Sequence, residues 1–317
     1  MKNAYLIVTD IHEHYCNSRN RIDYIAEIDY VRTKIVELGK KYRDIYDNVY
    51  LILLGDVFKG SFNDPDSAVI INNFWIIVSG LFSKIYCVLG NHETSYYTSN
   101  PFFTLVQSIE SQKVRNILNR NWTPKGLRPI FNVVDTVIDG NVIFHFNHYA
   151  TPINRAVPGK TNIGLFHQDI ICQEILDLMH VNYRSDIFQR KTVNFDNVDI
   201  FDGFSYNFFG HMHKVYGTFE CVTHKHEKTI LCYLASLGRP NVTEVNDLFL
   251  ERDIPAVIVD NGNLLTVESN TFNLMSRSEC VKEDVVEVQQ KVYEKVKQRK
   301  KVREYKPHED NPILNIK

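Results

Sequence analysis

Five short apolar runs, each stopped by an Asp, Asn or His, constrain this chain more than any other feature. Ala4–Val8 runs into Thr9-Asp10-Ile11-His12, Val49–Leu54 into Gly55-Asp56, and Ile85–Leu89 into Gly90-Asn91-His92-Glu93. Further on, Asn162–Phe166 runs into His167-Gln168-Asp169, and Tyr206–Phe209 into Gly210-His211-Met212-His213. Short apolar runs bounded by turns read as buried strands. In open α/β sheets ligands bind at the carboxyl ends of the strands, so the five polar ends are expected to meet in one place.

Helical patterns lie between the runs. Ile22–Tyr42 spaces Ile25, Ile28, Val31, Ile35 and Leu38 three or four apart. Ala68–Phe82 is more continuously apolar, and Phe102–Leu118 and Asp169–Met179 are further candidates. This alternation predicts a largely parallel first sheet. After Ile130 hairpin signals take over. Arg128–Ile138 and Asn141–His148 flank Asp139-Gly140, Thr218–Val222 and Thr229–Leu234 flank His224-Lys225-His226-Glu227, and Ala256–Val259 and Leu264–Val267 flank Asn261-Gly262. They predict a second sheet of hairpins stacked on the first.

Composition narrows the class. The 44 % apolar and 23 % charged content is that of an ordinary globular protein, and a net charge of -2 argues against a uniformly basic nucleic-acid coat while leaving room for a local basic patch. The 6 cysteines are scattered with no C-x-x-C, as expected of reduced thiols in a cytoplasmic protein. The N-terminal apolar run is too short for a signal peptide, and no run is long enough to cross a membrane. At the other end, valines 281, 285, 288, 292 and 296 form a helical stripe, and Lys291–Lys306 is strongly basic. That pattern fits a solvated surface helix, or a docking helix or phosphate-contacting arm.

Collected, the polar strand ends are Asp10, His12, Asp56, Asn91, His92, His167, His211 and His213. Carboxylate, imidazole and amide donors suit Mn²⁺, Fe²⁺, Zn²⁺ or Ni²⁺, whereas thiolates would point to structural zinc. An aspartate between two ions can bridge them, and two ions about 3.5–4 Å apart clamp a phosphate for in-line displacement. Alternation along an extended segment turns His211 and His213 to the same side.

The ordered set Asp10-x-His12, Gly55-Asp56, Gly90-Asn91-His92-Glu93, a strand-end histidine and Gly210-His211-x-His213 resembles the calcineurin-like metallophosphoesterases over roughly residues 4–270. The resemblance implies an α/β four-layer sandwich, two stacked mixed β-sheets flanked by helices. It implies a catalytic domain over residues 1–275, leaving a C-terminal basic helix and tail over 276–317. It further implies two divalent metal ions, with Mn²⁺ the first expectation. Asp10, His12 and His213 would hold one, Asn91, His167 and His211 the other, and Asp56 would bridge. His92 is implied as the catalytic group facing the scissile phosphate, not as a ligand. His145 and His148 compete with His167 for the fourth motif; His167 is preferred because it follows a cleaner apolar run, His145 reads as structural, and His148 could line the cleft. Glu93 is expected to orient a neighbour. His14, Arg19, Arg21 and Lys59 could meet a phosphate, but surface placement is the simpler reading. His224 and His226 read as a solvent turn, and Asp64 and Asp66 as turn and helix-cap residues.

Within that superfamily, Lys59-Gly60 stands where protein phosphatases carry Arg-Gly, and those enzymes lack the Gly-His-x-His. The layout is more similar to the nuclease subunit of SbcCD-type and phage recombination endonucleases. There hairpins after Gly-His-x-His end in a small-residue turn such as Ala235-Ser236-Leu237-Gly238. This implies a DNA exo- or endonuclease hydrolysing phosphodiesters, with an SMC-like ATPase subunit or a homodimer contacting the helix at 281–303. The alternatives are a phosphomonoesterase acting on a phosphoprotein or nucleotide, and a metal-binding assembly subunit without turnover.

Overall fold

Apolar side chains on both faces of β1 (Lys2–Val8) need cover on both sides, and a helical layer and a second sheet supply it. The computed structural model describes residues 1–13, 24–59, 73–96, 100–118, 130–172, 194–196, 198–213, 217–238 and 250–275. The helix expected over 281–302, the tail from 276, and His14, Arg19, Arg21, Asp64, Asp66, His180 and His308 lie outside them.

In the first sheet β1 pairs in parallel with β2 (Asn48–Leu54), β2 with β3 (Lys84–Val88), β3 with β5 (Phe131–Val133), and β5 with the edge strand β4 (Val106–Ile109). On the other side of β1, β15 (Ala256–Asp260) and β16 (Leu264–Glu268) add an antiparallel hairpin. That hairpin is framed by a short antiparallel ribbon of β14 (Glu251–Asp253) and β17 (Thr271–Asn273). The second sheet runs β12 (Gly217–Val222), β13 (Lys228–Tyr233), β11 (Phe204–Phe209), β8 (Thr161–Phe166), β7 (Val142–Asn147), β6 (Thr136–Asp139). Its four central strands are parallel and its two edges are hairpin partners.

Side-chain alternation builds the layers. Tyr5, Ile7, Ile52, Leu54, Tyr86 and Val88 face Phe144, Phe146, Ile163, Leu165 and Phe208 between the sheets. Their neighbours Leu6, Val8, Leu51, Leu53 and Cys87 face outward onto α1 (Tyr24–Arg43), α2 (73–79) and α4 (Gln112–Leu118) through Val31, Ile35, Trp75, Val78 and Val114. The short helix α3 (Asn91–Ser95) follows β3 directly and carries the third motif. The outer face of the second sheet, with Phe166, Phe209 and Tyr233, packs on Ile170, Val198 and Phe201.

Three expectations need correction. Phe102–Leu118 is not one helix: it is a 3₁₀ turn (Pro101–Thr104), the strand β4 and the helix α4. Asp169–Met179 does not begin as a helix, because Ile170–Cys172 (β9) pairs in parallel with Asn194–Asp196 (β10). The hairpin at 256–267 belongs to the first sheet, since Leu6–Lys2 captures Ala256–Asp260. Among the described residues the outer face of the second sheet is covered not by an α-helix but by the 3₁₀ turn (Val198–Phe201), Ile170 of β9 and the loop residues Ile153 and Ala156.

Phe146 is fully buried between the sheets, with its ring 5.9 Å from that of Tyr86. Phe146→Ala should lower unfolding free energy by roughly 3–5 kcal/mol in a denaturant titration. Ile138→Ala, at a position 67 % exposed, should stay within about 0.5 kcal/mol. Equal effects would disprove the layer assignment.

Candidate metal centre

All five polar strand ends lie at carboxyl ends of parallel strands, three in the first sheet and two in the second. The loops after β1 and β2 are zipped together past the strands: Asp10 N donates to Gly55 O (3.1 Å), His12 N to Asp56 O (3.0 Å) and Glu13 N to Val57 O (2.8 Å). The backbone turns sharply there. Asp10 (φ 47°), His12 (φ 50°), Asp56 (φ 47°) and His211 (φ 75°) all occupy the left-handed region that L residues avoid. Such conformations persist where surrounding contacts over-determine them, and they cluster at active sites.

The expected groups converge. Asp10, His12, Asp56 and His213 place one donor atom each within 4.8 Å of one another, as do Asp56, His167 and His211. Asp56 belongs to both sets. Its Oδ2 lies 3.8 Å from His12 Nε2 and its Oδ1 lies 3.4 Å from His167 Nε2. In the first set His213 Nε2 is 3.2 Å from Asp10 Oδ1 and 2.9 Å from His12 Nε2. In the second, Asn91 Oδ1 is 3.2 Å from His167 Nε2. Asp10, His12, Asp56 and His167 are at most 1 % exposed. His92 stands at the edge, its side chain 23 % exposed and its Nε2 3.8 Å from Asp56 Oδ2.

Carbonyl oxygens only accept, so they decide which imidazole nitrogen carries the outer proton. His167 Nδ1 donates to Leu54 O (2.7 Å), which turns Nε2 toward Asp56 and Asn91. His92 Nδ1 donates to Lys59 O (2.9 Å), which turns Nε2 toward the carboxylates. Glycines make room for this crowding. A Cβ on Gly55, at φ +83°, would lie 2.2 Å from His167 Nδ1, and one on Gly90 would lie 2.1 Å from Asp56 Oδ1.

Charge balance follows. Burial works against ionising Asp56, yet His167 and His12 hold its carboxyl down at about 2. Burial likewise opposes charge on Asp10, which His167, His12 and His213 keep well below the usual range. Burial pushes the His12 imidazole down to about 4, so it is neutral at pH 7. For His167 burial is outweighed by Asp56 and Asp10, which push it up to about 10. Two buried carboxylates and two imidazole nitrogens facing each other at 2.9 Å are a donor-rich, cation-seeking arrangement. The residues therefore fit a pair of divalent ions.

The rival histidines lie elsewhere. His148 is buried and used at both nitrogens: Leu89 N donates to Nδ1 (3.0 Å) and Nε2 donates to Val134 O (3.1 Å). His145 Nε2 meets Asn162 Oδ1 at 2.8 Å within the second sheet. His224 is exposed and pairs with Asp199.

Three carboxylates brace the site. Glu93 accepts from Asp56 N (2.9 Å), Val57 N (3.0 Å) and Gly90 N (2.9 Å), tying the second and third motifs together. Burial and the Asp56 charge push it up to about 7. Glu13 and Asp169 escape sequence reasoning. Glu13 sits beside His12 and accepts both Nε (3.0 Å) and Nη2 (3.2 Å) of Arg32, anchoring the first motif to α1. Asp169 Oδ1 lies 2.8 Å from His211 Nε2. Glu13 carried one faint signal, a charge inside a stretch that should be buried; Asp169 carried none beyond standing two residues after His167.

Known proteins offer a family match and remote structural likenesses to this fold. Two solved structures resemble it distantly. One is a 5'-nucleotidase precursor from Thermus thermophilus, at 13 % identity and TM-score 0.41, matching 94 % of this chain and 59 % of that one. The other is the NAD nucleotidase NadN of Haemophilus influenzae, at 14 % identity and TM-score 0.40, matching 87 % and 50 %. The chain thus spans 59 % of the first and half of the second, and likenesses this remote say nothing about substrate. No curated protein sequence matches significantly. The family model for calcineurin-like phosphoesterases matches residues 4–215, a stretch that contains every residue of the two donor sets. The chain belongs to the calcineurin-like phosphoesterase family.

Proposed function

We propose that this metallophosphoesterase hydrolyses phosphodiester bonds, with DNA as its substrate. The observation that carries the hydrolytic reading is the placement of Asp56, whose two oxygens face two different donor sets. Asp10, His12 and His213 would hold one ion, Asn91, His167 and His211 the second, and Asp56 would bridge. When bound, the ions supply Lewis-acid charge to the phosphate and an activated water. Mn²⁺ is the proposed occupant. The chain's own contribution is orientation. Leu54 O and Lys59 O fix the imidazoles of His167 and His92, and Glu93 holds the Asp56 and Gly90 loops at one spacing. As an imidazolium, which keeps its Nδ1 proton on Lys59 O, His92 at the rim of the cluster would deliver its Nε2 proton to the leaving oxygen.

Layout supports the diester reading. The first motif is followed by α1. After His213 the β12–β13 hairpin leads to the turn at 235–238, which returns to the site. Ser236 Oγ and Gly238 N both donate to Asp10 O (2.9 and 3.1 Å), and Leu237 N donates to Thr9 O (3.3 Å). The proposed partners, an SMC-like ATPase subunit or a second copy of the chain, would meet the basic, valine-striped segment at 281–303, whose sequence pattern is that of a helix. A cytoplasmic location is part of the proposal, in keeping with the buried thiols Cys87 and Cys232. Among the described residues no helix is long and apolar enough to cross a membrane.

Purified protein with Mn²⁺ should cleave linear DNA and bis-p-nitrophenyl phosphate. Turnover of the p-nitrophenyl monoester alone would replace the reading with a phosphomonoesterase. Bound metal with no turnover on either ester would point to an assembly subunit.

Two variants separate the roles at the site. Asp56→Asn should lose nearly all activity and weaken both ions, with the fold retained by circular dichroism. His92→Ala should keep both ions while kcat falls ~10²–10⁴-fold. Loss of metal from His92→Ala would mean that His92 is a ligand.

Metal loading should also release protons. In the metal-free protein the carboxylates keep His167 protonated at pH 7, since its pKa is pushed up to about 10, and ligation requires the neutral ring. Calorimetry in buffers of different ionisation enthalpy should report release of about one proton at pH 7. Affinity for the second ion should rise with pH up to that pKa. A pH-independent affinity between 6 and 8 would exclude His167 as a ligand.

A further inference from the structure

His211 and His167 face the same donor set, but their outer nitrogens are held differently. His167 gives its Nδ1 proton to Leu54 O, which leaves Nε2 for the centre. His211 has Nε2 engaged instead, 2.8 Å from Asp169 Oδ1. An ionised carboxylate only accepts, so this ring donates from Nε2 and its lone pair sits on Nδ1. The contact is sheltered, with the two side chains 11 % and 10 % exposed.

The segment that carries Asp169 is pinned on both sides. Gln168 Nε2 donates to His148 O (2.7 Å) and Thr151 O (2.9 Å), and Tyr233 Oη donates to Ile170 O (3.3 Å). Asp169 itself falls in neither of the two donor groups. The carboxylate is therefore placed to act on the histidine, from outside the cluster that Asp56, His167 and His211 form.

We infer that Asp169 is a positioning residue for the second ion: its carboxylate locks His211 as the Nε2–H tautomer and leaves Nδ1 as the ligand atom. This rests on the two-ion reading above. Partners of this kind fix ring orientation and raise ligand basicity, and their loss typically costs 10–100-fold in metal affinity.

The test uses metal alone. Mn²⁺ titration calorimetry on the wild type should show two sites. In Asp169→Ala one site should weaken by ~10–100-fold while the other is unchanged, and Asp169→Asn, which keeps an uncharged acceptor, should fall between. In the Zn²⁺-loaded protein, imidazole ¹⁵N–¹H correlations should show His211 protonated at Nε2 and ligated through Nδ1, with the tautomer preference lost in Asp169→Ala. Should the alanine variant fail to fold, the asparagine variant carries both measurements. Wild-type His211 ligated through Nε2, equal weakening of both sites, or no weakening in either variant would each overturn the inference. A wild type that binds fewer than two ions would overturn the two-ion reading as well, and the stoichiometry alone distinguishes that case.

Discussion

Burying two aspartates side by side is the constraint on which the structure turns. Asp10 and Asp56 are at most 1 % exposed, and the charge of Asp10 works against ionisation of Asp56. Buried carboxylates without compensation would take up protons. Compensation comes from imidazoles drawn from both sheets, above all His167, whose raised pKa is the counterpart of their lowered ones. An arrangement that needs positive charge so badly is one prepared for cations. The extra proton on His167 then stands in for positive charge that a divalent ion would supply, and it is the proton, not the ring, that would leave.

Holding such a cluster together demands backbone conformations that sequence preference opposes. Asp10, His12, Asp56 and His211 sit at positive φ, at a cost of about 1–3 kcal/mol each. The offsetting contacts are specific. Glu93 gathers three backbone N–H groups across the second and third motifs, the first and second motifs zip together as far as Glu13 and Phe58, and Ser236 with Gly238 closes on Asp10 O. Strain and bracing are two aspects of one design, because side chains on relaxed strand ends would splay apart.

Much of this was legible in the sequence, for a physical reason. Strands buried on both faces must be continuously apolar, so a polar residue marks where each one leaves the core, and all eight expected residues were found at those exits. The less legible parts depend on partners distant in the chain. Val106–Ile109 has apolar residues at a spacing compatible with a helix, and it becomes a strand because Phe131–Val133 offers an edge. The 256–267 hairpin could have joined either sheet; pairing of Ala256–Asp260 with β1 decides it. Asp169 meets His211 across 42 positions, and nothing local to either residue announces the other.

The two donor sets also bear on why the sheets stack as they do. The first combines Asp10, His12 and Asp56 from the first sheet with His213 from the second; the other combines Asp56 with His167 and His211 from the second. Each set therefore crosses the seam that Phe144, Phe146 and Phe208 fill with apolar contacts. At the opposite end of that seam, Tyr5 and Asn3 of β1 donate to Asp139 of the second sheet, and the turns at Gly140 and Gly262 approach closely enough to leave no room for a Cβ. Apolar burial sets the spacing of the sheets, the Asp139 contacts set their register at one end, and the donor sets converge at the other. Ions bound there would favour the stacked arrangement over any in which the sheets part, so metal affinity and sandwich stability are linked through the same residues.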